Sequence, residues 1–157
     1  MRFRKDGEVM KIYLDTCCFN RPFDDFNNDV VEMEAEAVLN IIGRCESGEF
    51  ELWVSDVLFE EIDAMPDLGR QEKVLLLCRS AIGIIHLSHE IRIRAKELGQ
   101  TGIKTFDALH LASAEAKGVD IFLSTDRRLL NSARRTNIKV KVRNPLMWLM
   151  EVFYNGC

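Results

Sequence analysis

No apolar run in this sequence approaches the ~18–20 residues that cross a bilayer, and no apolar stretch follows the basic residues of the opening MRFRKDGEVM. The chain is therefore read as having neither a membrane span nor a secretory leader, and is expected in the cytoplasm. Residues 1–10 are read as a flexible extension and 11–153 as one domain, a length sufficient for a proper core. Five cysteines, Cys17, Cys18, Cys45, Cys78 and Cys157, form no CxxC pair and no Cys/His zinc spacing. Their odd number and wide scatter fit reduced thiols. There is no GxxxxGK[ST] phosphate loop, no zinc finger and no RNP-like aromatic platform, which argues against a nucleotide-binding P-loop and against a pure nucleic-acid-binding module. Asp24, Asp25 and Asp29 lack the glycine and terminal glutamate of an EF-hand loop and read as a solvated loop or helix cap. Repeats, low-complexity tracts and linkers are absent too.

What is present alternates between short β-rich runs and helical segments. KIYL (11–14), ELWVS (51–55), GIIHL (83–87), DIFLS (120–124) and IKVKV (138–142) read as strands. The first and fourth are nearly all apolar, as central strands covered on both faces must be. Val31, Val38, Ile41, Ile42 and Cys45 recur at helical spacing, a helix is expected shortly after Ser55, and 70–82, 89–99, 104–117, 126–135 and 146–153 also read as helices. Gly118 and Pro145 supply stop and start signals. Trp148, Leu149 and Met150 are expected to close the core. Strands separated by helices imply right-handed crossovers, hence an α/β fold with a parallel sheet between two helical layers. Ligands of such sheets bind beyond the carboxyl ends of the strands.

Four acids fall at such places. Asp15 directly follows KIYL, and Asp126 follows IFLST. Glu61 lies inside the apolar stripe Leu58, Ile62, Met65 of its helix, whereas its neighbour Glu60 points elsewhere; a helix phase shifted by one residue would favour Glu60 instead. Asp107 opens FDALHLASAEAKG, a helix apolar enough to be well buried, so its charge needs compensation. Singly, each acid has an ordinary structural use: Asp126 as the cap of the next helix, Asp107 as a first-turn acid. Together they form a cluster in which like charges ~4 Å apart repel by ~4 kcal/mol at an effective dielectric near 20, so cations must neutralise it. With no histidine or cysteine at ligand spacing, the expected ion is hard and oxygen-seeking, Mg²⁺ or Mn²⁺, and the expected chemistry is phosphoryl transfer. His86, His89 and His110 are not at metal-ligand spacing to one another; His110, one turn from Asp107, reads as a packed or hydrogen-bonded helix histidine in preference to a substrate contact, and Cys17 and Cys18 read as packing beside a strand end. The net charge of −4 speaks against broad coating of nucleic acid. Yet residues 127–143 carry seven basic side chains and no acid, and Arg127 and Arg128 at the head of this stripe are candidate RNA contacts.

These pieces, IYLDTCCFNRP, VSDVLFEEI, FDALHLASAEAKGVDIFLSTDRRLL and NPLMWL, resemble in order and spacing the PIN-domain nucleases, including the VapC-type toxins of toxin–antitoxin pairs, from about Lys11 to Leu149. The resemblance implies a three-layer α/β/α domain whose acids, here Asp15, Glu61, Asp107 and Asp126, hold one or two Mg²⁺ ions. Thr16 and Thr125 match hydroxyl positions that accompany those acids. It also implies endonucleolytic RNA cleavage leaving a 5′-phosphate and a 3′-hydroxyl, and as partners an antitoxin protein and a second copy in a homodimer. The CCFNRP loop and the doubled Glu60–Glu61 depart from the pattern without removing an acid. Two other readings stand beside this one. A haloacid-dehalogenase-type phosphatase needs a second aspartate two residues after the first, where Cys17 stands. A catalytically weak PIN-like module that binds RNA or protein differs from a nuclease in that Asp15→Asn would leave its RNA degradation unchanged.

Overall fold

The computed structural model describes residues 4, 5 and 7–155. In chain order the elements are β1 (Arg4–Lys5), β2 (Glu8–Leu14), α1 (Thr16–Asn20), a 3-10 turn (Arg21–Phe23), α2 (Asp29–Glu46), β3 (Phe50–Ser55), α3 (Asp56–Asp63), α4 (Leu68–Cys78), β4 (Ala81–Ile85), α5 (His89–Gln100), α6 (Thr105–Lys117), β5 (Ile121–Leu123), α7 (Arg127–Arg135), β6 (Val142–Arg143) and α8 (Pro145–Asn155). The sheet runs β4-β3-β2-β5-β6, parallel throughout, with β1 added antiparallel to β2. Helices cover both faces, which is the α/β architecture expected. No described helix is long and apolar enough to cross a membrane.

β2 and its neighbour β5 are the strands buried on both faces, and β2 lies at the centre of the sheet. Tyr13 pairs with Trp53 and with Phe122 on its two flanks, and Ile12, Tyr13 and Leu14 are wholly buried. On one face Ile12, Leu14, Leu52, Val54 and Leu123 meet Val38 and Ile41 of α2, Leu58 and Ile62 of α3, and Trp148 of α8. On the other face Tyr13 and Phe122 meet Ile91 and Leu98 of α5 and Leu111 and Ala112 of α6. Trp148 and Leu149 close the core as expected, whereas Met150 points outward. Burying a Leu- or Phe-sized side chain contributes ~1.5–3 kcal/mol, so these two clusters supply the main driving force.

Several element boundaries differ from the sequence reading. The helix expected over 70–82 ends at Cys78, and Ala81–Ile85 are already strand; the unbroken apolar run around the Arg79–Ser80 turn hides the change of period. IKVKV contributes only Val142 to the ladder, paired with Phe122. The proposed start at residue 11 falls inside β2, whose Val9 and Glu8 pair with Arg4 and Lys5. At the opposite edge, Gly83 lies against the Trp53 ring, where any Cβ would collide with the indole, while Lys117 Nζ covers the ring at 3.8 Å. Gly118, at φ 73°, ends α6 in the left-handed region, and Pro145 opens α8, both where sequence signals place them.

Candidate active site

All four acids lie at the carboxyl-end edge of the sheet. Asp15 terminates β2, where its backbone N–H donates to Leu123 O at 2.9 Å, binding the ends of β2 and β5 together. Its buried carboxylate is held on both oxygens. Oδ1 accepts from Thr16 N at 2.8 Å, and Oδ2 accepts from Ser124 Oγ at 2.9 Å and, more weakly, from Cys17 Sγ at 3.4 Å. Ser124 Oγ also accepts from Asp126 N at 3.1 Å, so one hydroxyl ties the first acid to the last. Asp126 caps α7, its Oδ1 accepting from Arg128 N at 2.9 Å and Leu129 N at 3.3 Å. The capping role anticipated for Asp126 is thus real, and it leaves Oδ2 without a partner.

Glu61, not Glu60, turns inward from α3 as the stripe phase predicts; Glu60 is exposed. Glu61 Oε1 accepts from Thr16 Oγ1 at 2.6 Å and forms a short hydrogen bond with His110 Nε2. His110 sits on α6 one turn after Asp107 and is completely buried. Its Nδ1 meets Tyr13 Oη at 2.5 Å, and Tyr13 Oη meets Ser55 Oγ at 2.6 Å. Burial opposes ionisation of Glu61, but the bonds from His110 and Thr16 and the nearby imidazole prevail and hold its carboxyl below the ordinary glutamate range. Burial likewise works against a charged His110, yet the bond to Glu61 and the charges of Asp15, Glu61 and Asp107 raise its pKa.

Asp107 is different. Partly buried at the start of α6, its carboxylate makes no hydrogen bond or ion pair among the described residues, and its pKa is pushed up to about 6, first by burial and then by the charges of Asp15 and Asp126, with His110 acting in the opposite direction. Among the described residues, ligand atoms of Asp15, Glu61 and His110 lie within 4.8 Å of one another. Asp107 and Asp126 stand outside this triple, though near enough for their charges to be felt. The free oxygens (both of Asp107, Oε2 of Glu61, Oδ2 of Asp126) suit a hard divalent ion.

Two contacts at this edge escaped the sequence reading. His110 is the packed, hydrogen-bonded helix histidine expected, but its partner Glu61, 49 positions away, was not foreseen. Ser124 makes the bonds anticipated from Thr125; the Thr125 hydroxyl reaches none of the acids, and only its backbone N approaches Cys17 Sγ, at 3.4 Å. The spacing Asp107–His110, one helical turn, is the one signal that links the histidine to the acids. The CCFNRP segment, read as a loop, is α1 and the 3-10 turn after it, and Arg70 holds it by donating to Asn20 O and Oδ1 at 3.4 and 3.3 Å and, just beyond it, to Phe23 O and Asp24 Oδ1 at 2.8 Å.

Beyond the acids lies positive charge. Arg127 and Arg128 are exposed, and among the described residues their side chains make no hydrogen bond or ion pair. Arg127 lines a cleft of about 670 Å³ together with Arg21, Asn28, Glu34 and Thr125. Arg128 shares a shallow depression with Lys104 and Asp107. The stripe is not uniform: Lys141 and Arg143 approach Glu151 at 3.7 and 3.6 Å.

A family model described as PIN domain matches residues 12–135. No curated protein matches the sequence. Among the solved structures that share the fold are three VapBC structures. VapBC2 from Rickettsia felis bound to a DNA fragment from its promoter is 17% identical over 86% of this chain and 98% of that one, with a TM-score of 0.56. DNA-bound VapBC from Salmonella typhimurium is 12% identical over 87% and 99%, with a TM-score of 0.57. VapBC-1 from nontypeable Haemophilus influenzae is 12% identical over 87% and 98%, with a TM-score of 0.56.

Proposed function

The chain belongs to the PIN-domain family, and on that premise we propose that it is an Mg²⁺- or Mn²⁺-dependent endoribonuclease, the toxin of a toxin–antitoxin pair, acting in the cytoplasm. The observation that carries this reading is the unpartnered carboxylate of Asp107 beside Asp15, Glu61 and Asp126. A half-buried acid with no donor, surrounded by like charge, is unfavourable unless a cation shares it. Asp15, Glu61, Asp107 and Asp126 would hold the ion, which when bound polarises the phosphodiester and lowers the pKa of an attacking water. The protein's own part is positional. Thr16 and Ser124 fix Asp15, α7 fixes Asp126, and the unpaired Arg127 and Arg128 flank the acids where backbone phosphates must pass.

The toxin reading draws support from the VapBC structures that share the fold. Apolar side chains left exposed on packed neighbours α2 (Val30, Met33) and α8 (Met147, Met150) suit a protein partner, whether an antitoxin or a second copy. The test of the activity is a purified-protein assay on a short single-stranded RNA and on DNA of the same sequence, with Mg²⁺, with Mn²⁺ and with chelator. Cleavage of RNA to 5′-phosphate ends only with metal, lost in Asp107→Asn by at least about a hundredfold, is expected, because even outer partners of metal ligands are worth ~10–100-fold. Equal cleavage by wild type and Asp107→Asn would sink the assignment.

A further inference from the structure

Glu61 occupies a position where the backbone cannot orient it. Asp126 stands just before a helix and is held by free amides of the first turn, but Glu61 lies within α3, where backbone N–H groups are taken up by the helix itself. Its long side chain also loses more rotamer freedom on ordering. Donors must therefore come from elsewhere, and two do: Thr16 Oγ1 and His110 Nε2 converge on the same oxygen, Oε1, leaving Oε2 unpartnered. His110 is itself fixed from behind. Tyr13 Oη engages Nδ1 and is engaged in turn by Ser55 Oγ, which also accepts from Leu58 N at 3.2 Å as the cap of α3. The Tyr13 ring is stacked on Phe122, centroids 5.2 Å apart. The chain of contacts thus leaves α3 at its N-terminus, crosses β2 and α6, and returns to α3 at Glu61.

We propose that His110 is a positioning residue which, backed by Tyr13, holds Glu61 by one oxygen so that the other is presented to the divalent cation. The inference rests on the nuclease reading above and adds to it a residue outside the four acids. Partners of this kind, one bond removed from a ligand, are worth ~10–100-fold in metal affinity.

The experiment titrates Mn²⁺ calorimetrically into metal-free protein without RNA, comparing wild type with His110→Leu, His110→Gln, Tyr13→Phe and Asp15→Asn. His110→Leu is expected to weaken Mn²⁺ binding by about 10–100-fold. His110→Gln, whose amide nitrogen can replace Nε2–H as a donor, is expected to restore most of that loss. Tyr13→Phe keeps the stacked ring and should weaken binding to an intermediate degree. On single-stranded RNA, kcat should fall in the same order while KM stays within about twofold, a split that simple loss of packing would not produce. Mn²⁺ binding within twofold of wild type in folded His110→Leu or Tyr13→Phe overturns the proposal. So does a glutamine variant no better than leucine, which would mean that the imidazole itself is required. If His110→Leu does not fold, Tyr13→Phe decides. If wild type binds no Mn²⁺, or Asp15→Asn binds it equally well, the nuclease reading fails and takes this inference with it, an outcome distinct from failure of His110 alone.

Discussion

The inner and outer halves of the acidic site are built on opposite principles. On the inner side, Ser55, Tyr13, His110, Thr16 and one oxygen of Glu61 form a closed, buried network with each group engaged. On the outer side, Asp107 has no partner, Asp126 keeps one oxygen free, and Arg127 and Arg128 extend into solvent unpaired. The inner polar groups thus stabilise the fold, whereas on the outer side the Asp107 carboxylate works against it. The inner half behaves as scaffold. The outer half has its polar atoms unspent, which is the condition of a surface awaiting a ligand.

Substitutions should separate the halves by sign. The largest effect is expected inside: Tyr13→Phe leaves His110 Nδ1 and Ser55 Oγ buried without their shared partner, so urea denaturation of metal-free protein should show a loss of ~2–3 kcal/mol. A loss below half a kcal/mol would mean that water or neighbours re-satisfy the network and that the contrast is false. Next comes Asp107→Asn, with the opposite sign. Because the folded pKa of about 6 lies above the ordinary 3.8, the native state binds the proton more tightly, and wild-type stability falls as pH rises through that window. The asparagine variant, free of this penalty, should be more stable by ~1–2 kcal/mol above pH ~6, after discounting for partial solvent access. The gain should vanish below pH ~4 and shrink when Mn²⁺ is added to both proteins. A constant difference across pH would place its origin outside the carboxyl group.

The third effect is on binding alone. Arg127→Ala/Arg128→Ala should raise KM for RNA by ~3–10-fold at low salt and reduce the salt slope by ~1–1.5, as expected for two phosphate contacts on a single strand, with kcat and melting temperature little changed. An unaltered slope would make these arginines ordinary surface. Smallest is a control at the same sheet edge but away from the cluster. Asp56 accepts from Leu87 N at 2.8 Å and meets His86 Nδ1 at 3.1 Å, and the bond from Leu87 leads the effects that lower its pKa. Since a depressed carboxyl contributes stability above its unfolded pKa, Asp56→Ala should lose less than ~1 kcal/mol at neutral pH, given the exposure of the group. That difference should disappear as pH falls below the usual aspartate range.

The same contrast explains what the sequence revealed. KIYL and DIFLS announced the central strands because burial on both faces writes an uninterrupted apolar run. Asp15 and Asp126 were visible at their ends for that reason. Glu61 was distinguishable from Glu60 because the wrong phase would have put a charge outside the stripe and an apolar residue in solvent. Local signals of this sort depend on one element at a time. His110 does not: its burial and all its partners, Glu61, Tyr13 and Thr16, come from other parts of the chain, so a histidine of the same appearance would read identically in a wholly structural helix. Ser124 rather than Thr125 engaging Asp15 is a matter of which way one residue faces after β5 ends, and no periodicity extends past the end of a three-residue strand. The brief β6 and the abrupt change from α4 to β4 were hidden likewise, since a sheet edge asks less of its residues than its centre.

The central place of β2 also imposes an order in time. Its two flanking partners arrive far apart in the chain: Ile12 pairs with Leu52 on one side and with Ile121 on the other. During N-to-C synthesis one edge of β2 therefore stays open until residues 121–123 emerge, and Asp126 follows only after that. A nascent chain can assemble the β2–β3–β4 half early, but its acids gather only after β5 and Asp126 have emerged. The unfinished protein carries an exposed strand edge, a hazard for aggregation, and lacks the complete acidic cluster. A site that needs all four acids together would therefore form only after the chain has been made as far as Asp126.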